Sequence, residues 1–546
     1  MATIDVTEIL KASTAGQPFP KRAKYSDGAK ASDAIKQGKF DNLVGQSSIM
    51  AALDEMEDSS LVQVDEAHVK KLVSLLEKKM LKNREMRVKS PDDPKKFMDS
   101  EIELDTSIQE LHALATAPNL YPVFISSNGV ELLLQLLGHE NTDIVTSTLN
   151  LLQELTDVDT LNESDEGAQE LVESLAQGSI ITTILSCFDR LDESIKDEAD
   201  GVHNALSVIE NMIDFRPATT EDAANQGLLV WLLKRCITKT PFDANKMYAS
   251  ELLSMLLQES ETAKVKLTEK ADGIDILLRA IAAYKKIDPE NAQETEHMEN
   301  LFNALCAALM HPPNRKKFLD GEGLQLMNLM LREKKQSRQS ALKVLDHATS
   351  GPEGVENCNK LVEMLGLRTL FPLYMRTPSS KKRKDTTPDE HEEHVCAILS
   401  SLLRSCTDAT RERIMQKFVE HEHEKVDRAV ELFLKYREKL IKFEAKSKKN
   451  GSGSSNSSDM VYLDRLDNGL YTQQRISLIL ADVCTATPSA LKRAEKLIQM
   501  KLRDQKLDVL LNDILGEYVE ELGDDADDER DRVQKIMEKL VDGVNN

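Results

Sequence analysis

The pattern of apolar positions changes character near residue 66. Residues 1–65 mix Ser, Ala, Gly and Lys without helical spacing and end in the acidic run Asp54-Glu55-Met56-Glu57-Asp58. Such a stretch buries too little apolar surface to offset the entropy of ordering it, which predicts a disordered arm. Beyond it, Leu72, Val73, Leu75, Leu76 and Met80 recur at the spacing of an amphipathic helix, interrupted by Pro91 and Pro94, so residues 66–118 are predicted to form an N-terminal helical cap.

A longer period then takes over. Apolar helices open at Gly129, Ser179, Gly227, Gly273, Gly323 and Gly366, at intervals of 50, 48, 46, 50 and 43 residues, close to the roughly 40–47 residues of armadillo and HEAT units. Each opening helix is expected to follow a shorter one and precede a longer one, as in 166–177, 179–189 and 194–214. Three helices per unit favour armadillo over HEAT. The predicted fold is all-α: a right-handed superhelical solenoid of about six armadillo-type repeats over 119–406, with helical N- and C-terminal caps. The glycines fit sharp turns between first and second helices, which call for a residue tolerant of positive φ and of close packing. Third helices are predicted at 142–157, 194–214, 243–258, 291–310, 337–349 and 389–404, lining the face that solenoids use for binding. Residues 407–446 read as charged helices, 447–460 as a flexible Gly/Ser linker, and 461–546 as a helical region closing the solenoid's apolar end. The acidic stretch 517–530 reads as a frayed, solubilising end.

Composition narrows the function. The 546 residues carry 70 Lys and Arg against 93 Asp and Glu, a net charge of −23. That is the opposite of a phosphate-binding footprint, so no direct nucleic-acid partner is expected. Aromatic residues are 4% of the chain, leaving few rings on which bases could stack. The seven cysteines include no CxxC pair; they read as reduced thiols of an intracellular protein. No apolar run approaches the roughly 18 residues of a membrane span, and the first ten residues do not read as a secretory leader.

Candidate chemistry is sparse. His391-Glu392-Glu393-His394 places two imidazoles three residues apart, near Cys396, but it is not HExxH and offers no third ligand. An exposed charged first turn of a third helix explains it better than a metallohydrolase. His421-Glu422-His423-Glu424 likewise reads as solvated helix surface. There is no G-x-x-x-x-G-K-S/T phosphate loop and no G-x-S-x-G elbow. Cys306 and Cys396 sit amid Leu and Ala as core residues do. The chain is therefore expected to be no enzyme, without cofactor or metal. The third helices are more informative. Asn150, Glu154, Asp157, Glu210, Asn211, Asp214, Glu251, Asn303 and Asp346 could face the groove, where carboxylates would attract Lys/Arg-rich peptides and amides would hold an extended backbone. Solvent-exposed polar residues at helix ends are the competing explanation. Lys21, Arg22 and Lys24, after Pro20, have the composition of a nuclear localisation signal. Lys381-Lys382-Arg383-Lys384, between Pro378 and Pro388, reads as a second localisation signal, a contact for phosphate or an acidic partner, or plain solvated loop.

Several strings are more specific than helix composition: Leu151-Leu-Gln-Glu-Leu-Thr-Asp157, Pro241-Phe-Asp-Ala-Asn-Lys246, Ser340-Ala-Leu-Lys-Val-Leu-Asp-His347, Glu392-Glu-His-Val-Cys396, and longer ones at 191–204 and 321–335. These resemble the beta-catenin-like family of armadillo proteins, strongly over residues 66–440 and more loosely beyond. The resemblance implies a nuclear, non-catalytic scaffold that serves pre-mRNA splicing in the spliceosome, associated through the nineteen complex. It implies binding to basic, localisation-type peptides of splicing factors, among them the Myb-related factor at that complex's core. In vertebrates the family also binds activation-induced deaminase. Pro20-Lys-Arg-Ala-Lys24 stands where the family carries its own localisation signal. The acidic run before residue 66 is shorter than the family's. Trp231 is the single tryptophan, so the Trp/Asn ladder of importin alpha is absent and basic-peptide recognition must rest on carboxylates and shape. A nuclear import adaptor for basic cargo is the alternative function. Apolar faces at the solenoid ends and on the C-terminal helices would suit a homo-oligomer.

Overall fold

A computed structural model of the chain describes residues 64–545, apart from 238–240, 270–271, 379–386, 450–457, 504 and 524–525. The N-terminal arm with Lys21, Arg22 and Lys24, its acidic run, the Lys381–Lys384 cluster and most of the Gly/Ser tract lie outside the described residues. Within them every element is helical and no strand occurs. The helices form two compact units that divide between Thr219 and Thr220.

In the first unit, α1 (Glu66–Lys89) packs on α2 (Met98–Glu110), and α2, α3 (Thr142–Leu155) and α4 (Lys196–Phe215) lie side by side as successive third helices. Asn141 caps α3, its side chain accepting from the Asp143 amide at 2.9 Å, which satisfies one of the donors every helix start leaves open. The apolar stripe of α3, Ile144, Val145, Leu149, Leu152 and Leu155, is buried to 1% exposure or less.

The second unit repeats the arrangement with α5 (Ala244–Glu259), α6 (Ala292–Ala308), α7 (Ser337–Thr349) and α8 (Pro388–Ser405), each packed on the next. Side-chain caps from Asp243 and Asn291 start α5 and α6, and a capping box of Thr387 and Glu390 starts α8. After α8 comes α9 (Asp408–Lys449), broken by non-helical residues at Glu420–His423. The predicted pair of charged helices is thus one chain segment with a break, and His421, Glu422 and His423 of the His421–Glu424 string lie in that break instead of on a helix surface. The row of third helices then continues through α10 (Tyr471–Ala486) to α12 (Asp527–Asn545), with α11 (Leu507–Glu520) packed against both. What the sequence sets apart as a cap extends the same row in the structure.

The third helices begin and end within two residues of the predicted bounds. The helices before them do not always fit the expected order of lengths: Asp165–Gln177, 13 residues, precedes Ile180–Phe188, nine residues. The turn chemistry also differs from expectation. At Gly129, Gly273, Gly323 and Gly366 the positive φ belongs to the preceding residue, Asn128 (64°), Asp272 (45°), Glu322 (60°) and Leu365 (66°). The glycine is required because a Cβ at Gly129 would stand 2.2 Å from the Phe124 ring, and one at Gly323 2.3 Å from the Phe318 ring. Among the six openings, Gly227, at φ 101°, and Ser179, at φ 56°, are themselves left-handed.

Candidate peptide-binding surface

The polar residues predicted to face the groove fall into three states. In the first unit, bonds between neighbouring elements engage several of them. Asn150 Oδ1 accepts from Asn204 Nδ2 at 3.2 Å, and Glu154 meets His112 Nδ1 at 2.6 Å. Ser147 Oγ donates to Asp105 Oδ1 at 2.6 Å in the same row. Asp157 is a correction: α3 ends at Leu155, and Asp157 instead caps Val158–Leu161, accepting from the Asp159 amide at 3.0 Å. Glu154 and Asp157 are therefore partly spent on the fold.

On α4 the picture differs. Asp200, Asn204, Ser207, Asn211 and Asp214 recur at i, i+4, i+7, i+11 and i+14, one stripe of a helix. Asp200 and Asp214 are exposed, and Glu210 is half-buried. Asn211 is 8% exposed, and its Nδ2 has no hydrogen-bond partner among the described residues. A buried donor left unpaired costs about 1–3 kcal/mol.

In the second unit the corresponding face is largely closed. Asn245, Ser250 and Ser254 on α5, and His297 and Asn300 on α6, are all buried. Glu251 and Asn303 are half-buried. Asn303 Oδ1 accepts from Lys343 Nζ at 3.1 Å, and Asp346 holds His394 Nδ1 at 2.9 Å. The carboxylate of Asp346 is thus matched within the fold.

His391-Glu392 overturns the expected exposed first turn: the two residues are 4% and 6% exposed. Glu392 accepts from Lys435 Nζ at 2.6 Å, Thr377 Oγ1 at 2.6 Å and Tyr436 Oη at 3.0 Å, and pairs with Arg428 at 3.2 Å. Burial works against its charge, but the bonds from Lys435 and Thr377 prevail and hold the carboxyl below its usual range. Burial lowers His391 to about 4, so it stays neutral and structural at pH 7. His394 turns to Asp346, and no group of three metal-binding side chains occurs among the described residues. All seven cysteines are buried. Burial pushes the Cys306 thiol up to about 12 and Cys396 higher still, the reverse of a poised nucleophile.

The acidic stretch 517–530 is another correction. Glu529 is 6% exposed and meets Arg532 at 2.9 Å and Arg404 at 3.1 Å. Asp482, also 6% exposed, joins Arg532 at 3.3 Å and Arg411 at 2.7 Å. This ion network ties α8, α9, α10 and α12 together. Glu529 packs because Arg404, from far along the chain, and Arg532, three residues on, both reach its carboxylate.

The signal that the sequence reading passed over is where the charge lies. Residues 97–219 contain three Lys and Arg (Arg190, Lys196 and Arg216) against 24 Asp and Glu, a local charge of −21 out of −23 for the whole chain. The rest of the chain, 67 Lys and Arg against 69 Asp and Glu, is close to neutral. Arg190 is moreover turned inward onto the carbonyls of Leu137 and His139. Counting charge by segment would have found this; the total conceals it.

The comparisons with known proteins agree with this architecture. The family described as "Catenin-beta-like, Arm-motif containing nuclear" matches residues 47–515. Beta-catenin-like protein 1 of Homo sapiens is 48% identical over 489 residues, covering 88% of this chain and 86% of the relative. The Bos taurus protein matches equally well. The Schizosaccharomyces pombe homolog is 32% identical, covering 87% of this chain and 83% of its own. Among solved structures, the crystal complex of SYS-1/POP-1 shares the fold at TM-score 0.50 and 9% identity, over 86% of each chain. No single helix among the described residues is long and apolar enough to cross a membrane. The chain belongs to the catenin-beta-like, Arm-motif containing nuclear family.

Proposed function

We propose that the chain is a non-enzymatic nuclear scaffold of the spliceosome that captures Lys/Arg-rich segments of splicing factors on the α3–α4 face, the Myb-related core factor of the nineteen complex among them. Lys21, Arg22 and Lys24 would serve as its localisation signal. The observation that carries the reading is the concentration of 24 carboxylates against three cations in residues 97–219. A field of one sign raises the encounter rate with an oppositely charged segment and sets its register. Asn211, with its unpaired amide beside Glu210 and Asp214, offers a donor to the segment's backbone carbonyls. The proposed contact residues are accordingly Asp200, Asn211 and Asp214, while Asn150, Glu154, Asp157, Asn303 and Asp346 serve mainly to hold neighbouring elements together.

The test is a titration of a Lys/Arg-rich peptide against the whole chain at rising ionic strength. The expected result is an affinity that falls steeply as the Debye length shrinks from about 30 Å at 0.01 M salt to about 8 Å at 0.15 M. An affinity that stays flat would reject electrostatic capture. Asn211→Ala should weaken binding without changing the salt slope, because the amide contributes a hydrogen bond and no charge.

A further inference from the structure

A second surface of the chain has the opposite chemistry. In the second unit, the latter half of α9, the start of α10 and the start of α11 enclose a cavity of about 400 Å³. Phe433, Val509, Leu510 and Ile514 supply its apolar lining, and Arg437, Lys506, Gln505 and Asp513 complete the wall. Arg437 Nη2 donates to Gln505 Oε1 at 3.0 Å, which turns the guanidinium toward the rim. Lys501 and Arg503, both exposed, stand on the segment that leads to Lys506.

The independent observation lies inside. Gln473 lines this cavity at 1% exposure, and neither its Oε1 nor its Nε2 has a hydrogen-bond partner among the described residues. Both amide atoms are closed to solvent while the cavity is empty, so they meet a donor and an acceptor placed side by side only when the Gln473 side chain turns into it. A peptide bond provides that pair. Unfilled, the two unpaired atoms carry a desolvation cost that a ligand of the right chemistry would relieve.

From this combination we propose that the cavity is a docking pocket for an acidic peptide segment of a partner protein. One apolar side chain of the segment enters against Phe433 and Leu510, its adjoining peptide group satisfies Gln473, and flanking carboxylates meet Arg437 and Lys506. The volume falls within the roughly 300–1,000 Å³ of ligand pockets and suits one leucine-sized anchor with its backbone. Charge complementarity selects the partner: the rim carries Arg437 and Lys506 against Asp513, a net positive charge that favours an acidic segment over the Lys/Arg-rich one proposed for residues 97–219. One chain would then hold two partners of opposite charge.

The experiment is fluorescence anisotropy with the whole chain and a labelled peptide in which a single leucine is flanked by glutamates and aspartates. Replacing the peptide's leucine by glycine should lower affinity at least tenfold. So should the double variant Arg437→Glu, Lys506→Glu. Gln473→Leu, close in shape but unable to hydrogen-bond, should weaken the acidic peptide about tenfold while leaving thermal stability equal or higher, which a merely structural glutamine would not do. A Lys/Arg-rich peptide should bind all variants as it binds the natural chain, which separates failure here from failure of the first site. The proposal is overturned if the leucine and glycine peptides bind alike, or if neither Gln473→Leu nor the charge reversal changes the acidic peptide's affinity.

Discussion

Residues 97–219 hold 24 carboxylates against three cations, and the exposed Asp200 and Asp214 of α4 mark a face where that charge meets solvent. From residue 220 on, three carboxylates that enter the interior are matched by cations. Glu392 has Lys435 and Arg428, Glu529 has Arg532 and Arg404, and Asp482 has Arg532 and Arg411. The same three-helix stacking therefore supports two electrostatic regimes. In one, Lys79, Lys82 and Arg87 of α1 pair with Glu101, Glu103 and Glu140, and the excess charge beyond them costs self-repulsion and is available to a partner; in the other, charge is desolvated and paired, and its worth is structural. The surface to examine for recognition is the one whose charge the fold has not consumed.

The largest expected effect separates these regimes directly. Glu529→Ala leaves Arg404 and Arg532 without their shared carboxylate, and breaking a buried pair costs about 3–5 kcal/mol; chemical denaturation of the variant should show that loss. Lysine at Asp200 and Asp214 should change stability by no more than about 0.5 kcal/mol, as expected for exposed positions. A comparable loss at both places would abolish the distinction.

Acid sharpens the contrast next. Burial lowers His297 and His391, both in the second unit, to about 4, against about 6.5 in an unfolded chain. Below pH 6.5 the unfolded state takes up protons that the folded state refuses, so their contribution to stability is complete above that pH and is lost progressively as pH falls toward 4. The denaturation midpoint of the second unit should follow this course, and His391→Gln should flatten it.

Gly129→Ala and Gly323→Ala come next, one in each unit, each forcing a methyl into a phenylalanine ring. Overpacking of this kind costs about 1–3 kcal/mol, and melting temperatures should fall to a similar degree, because the turn is common to both units whereas the charge is not. The smallest effect is one of salt. Raising ionic strength should modestly stabilise the first unit by screening its self-repulsion, with little change in the second, as hydrogen exchange of α3 and α10 would report.

Much of the fold is legible in the sequence because its determinants are local. Asn141, Asp243 and Asn291 announce helix starts through their own side chains, and the apolar stripe of each third helix needs no distant partner to be seen. The failures have the opposite cause. His391-Glu392 resembles an exposed acidic turn until α9, some 40 residues further on, supplies Arg428, Lys435 and Tyr436. The stretch 517–530 resembles a solvated tail until Arg404, from another repeat, reaches Glu529. The opening glycines are visible, but their reason is the Phe124 and Phe318 rings beneath them, and the left-handed residue is the one before. The candidate face was half legible. The third helices were placed correctly, yet several of their carboxylates are committed to caps and cross-helix bonds that only the packing reveals, and the unpaired amides of Asn211 and Asn300 are visible only in the structure.

The claim on which the rest depends is that the unneutralised face of α3 and α4 receives a basic segment. Hydrogen–deuterium exchange of the whole chain, with and without a saturating Lys/Arg-rich peptide, tests it most directly. Slowed exchange concentrated in Thr142–Leu155 and Lys196–Phe215 is the expected result; slowing confined to the third helices between residues 244 and 405, or none at all, would contradict it.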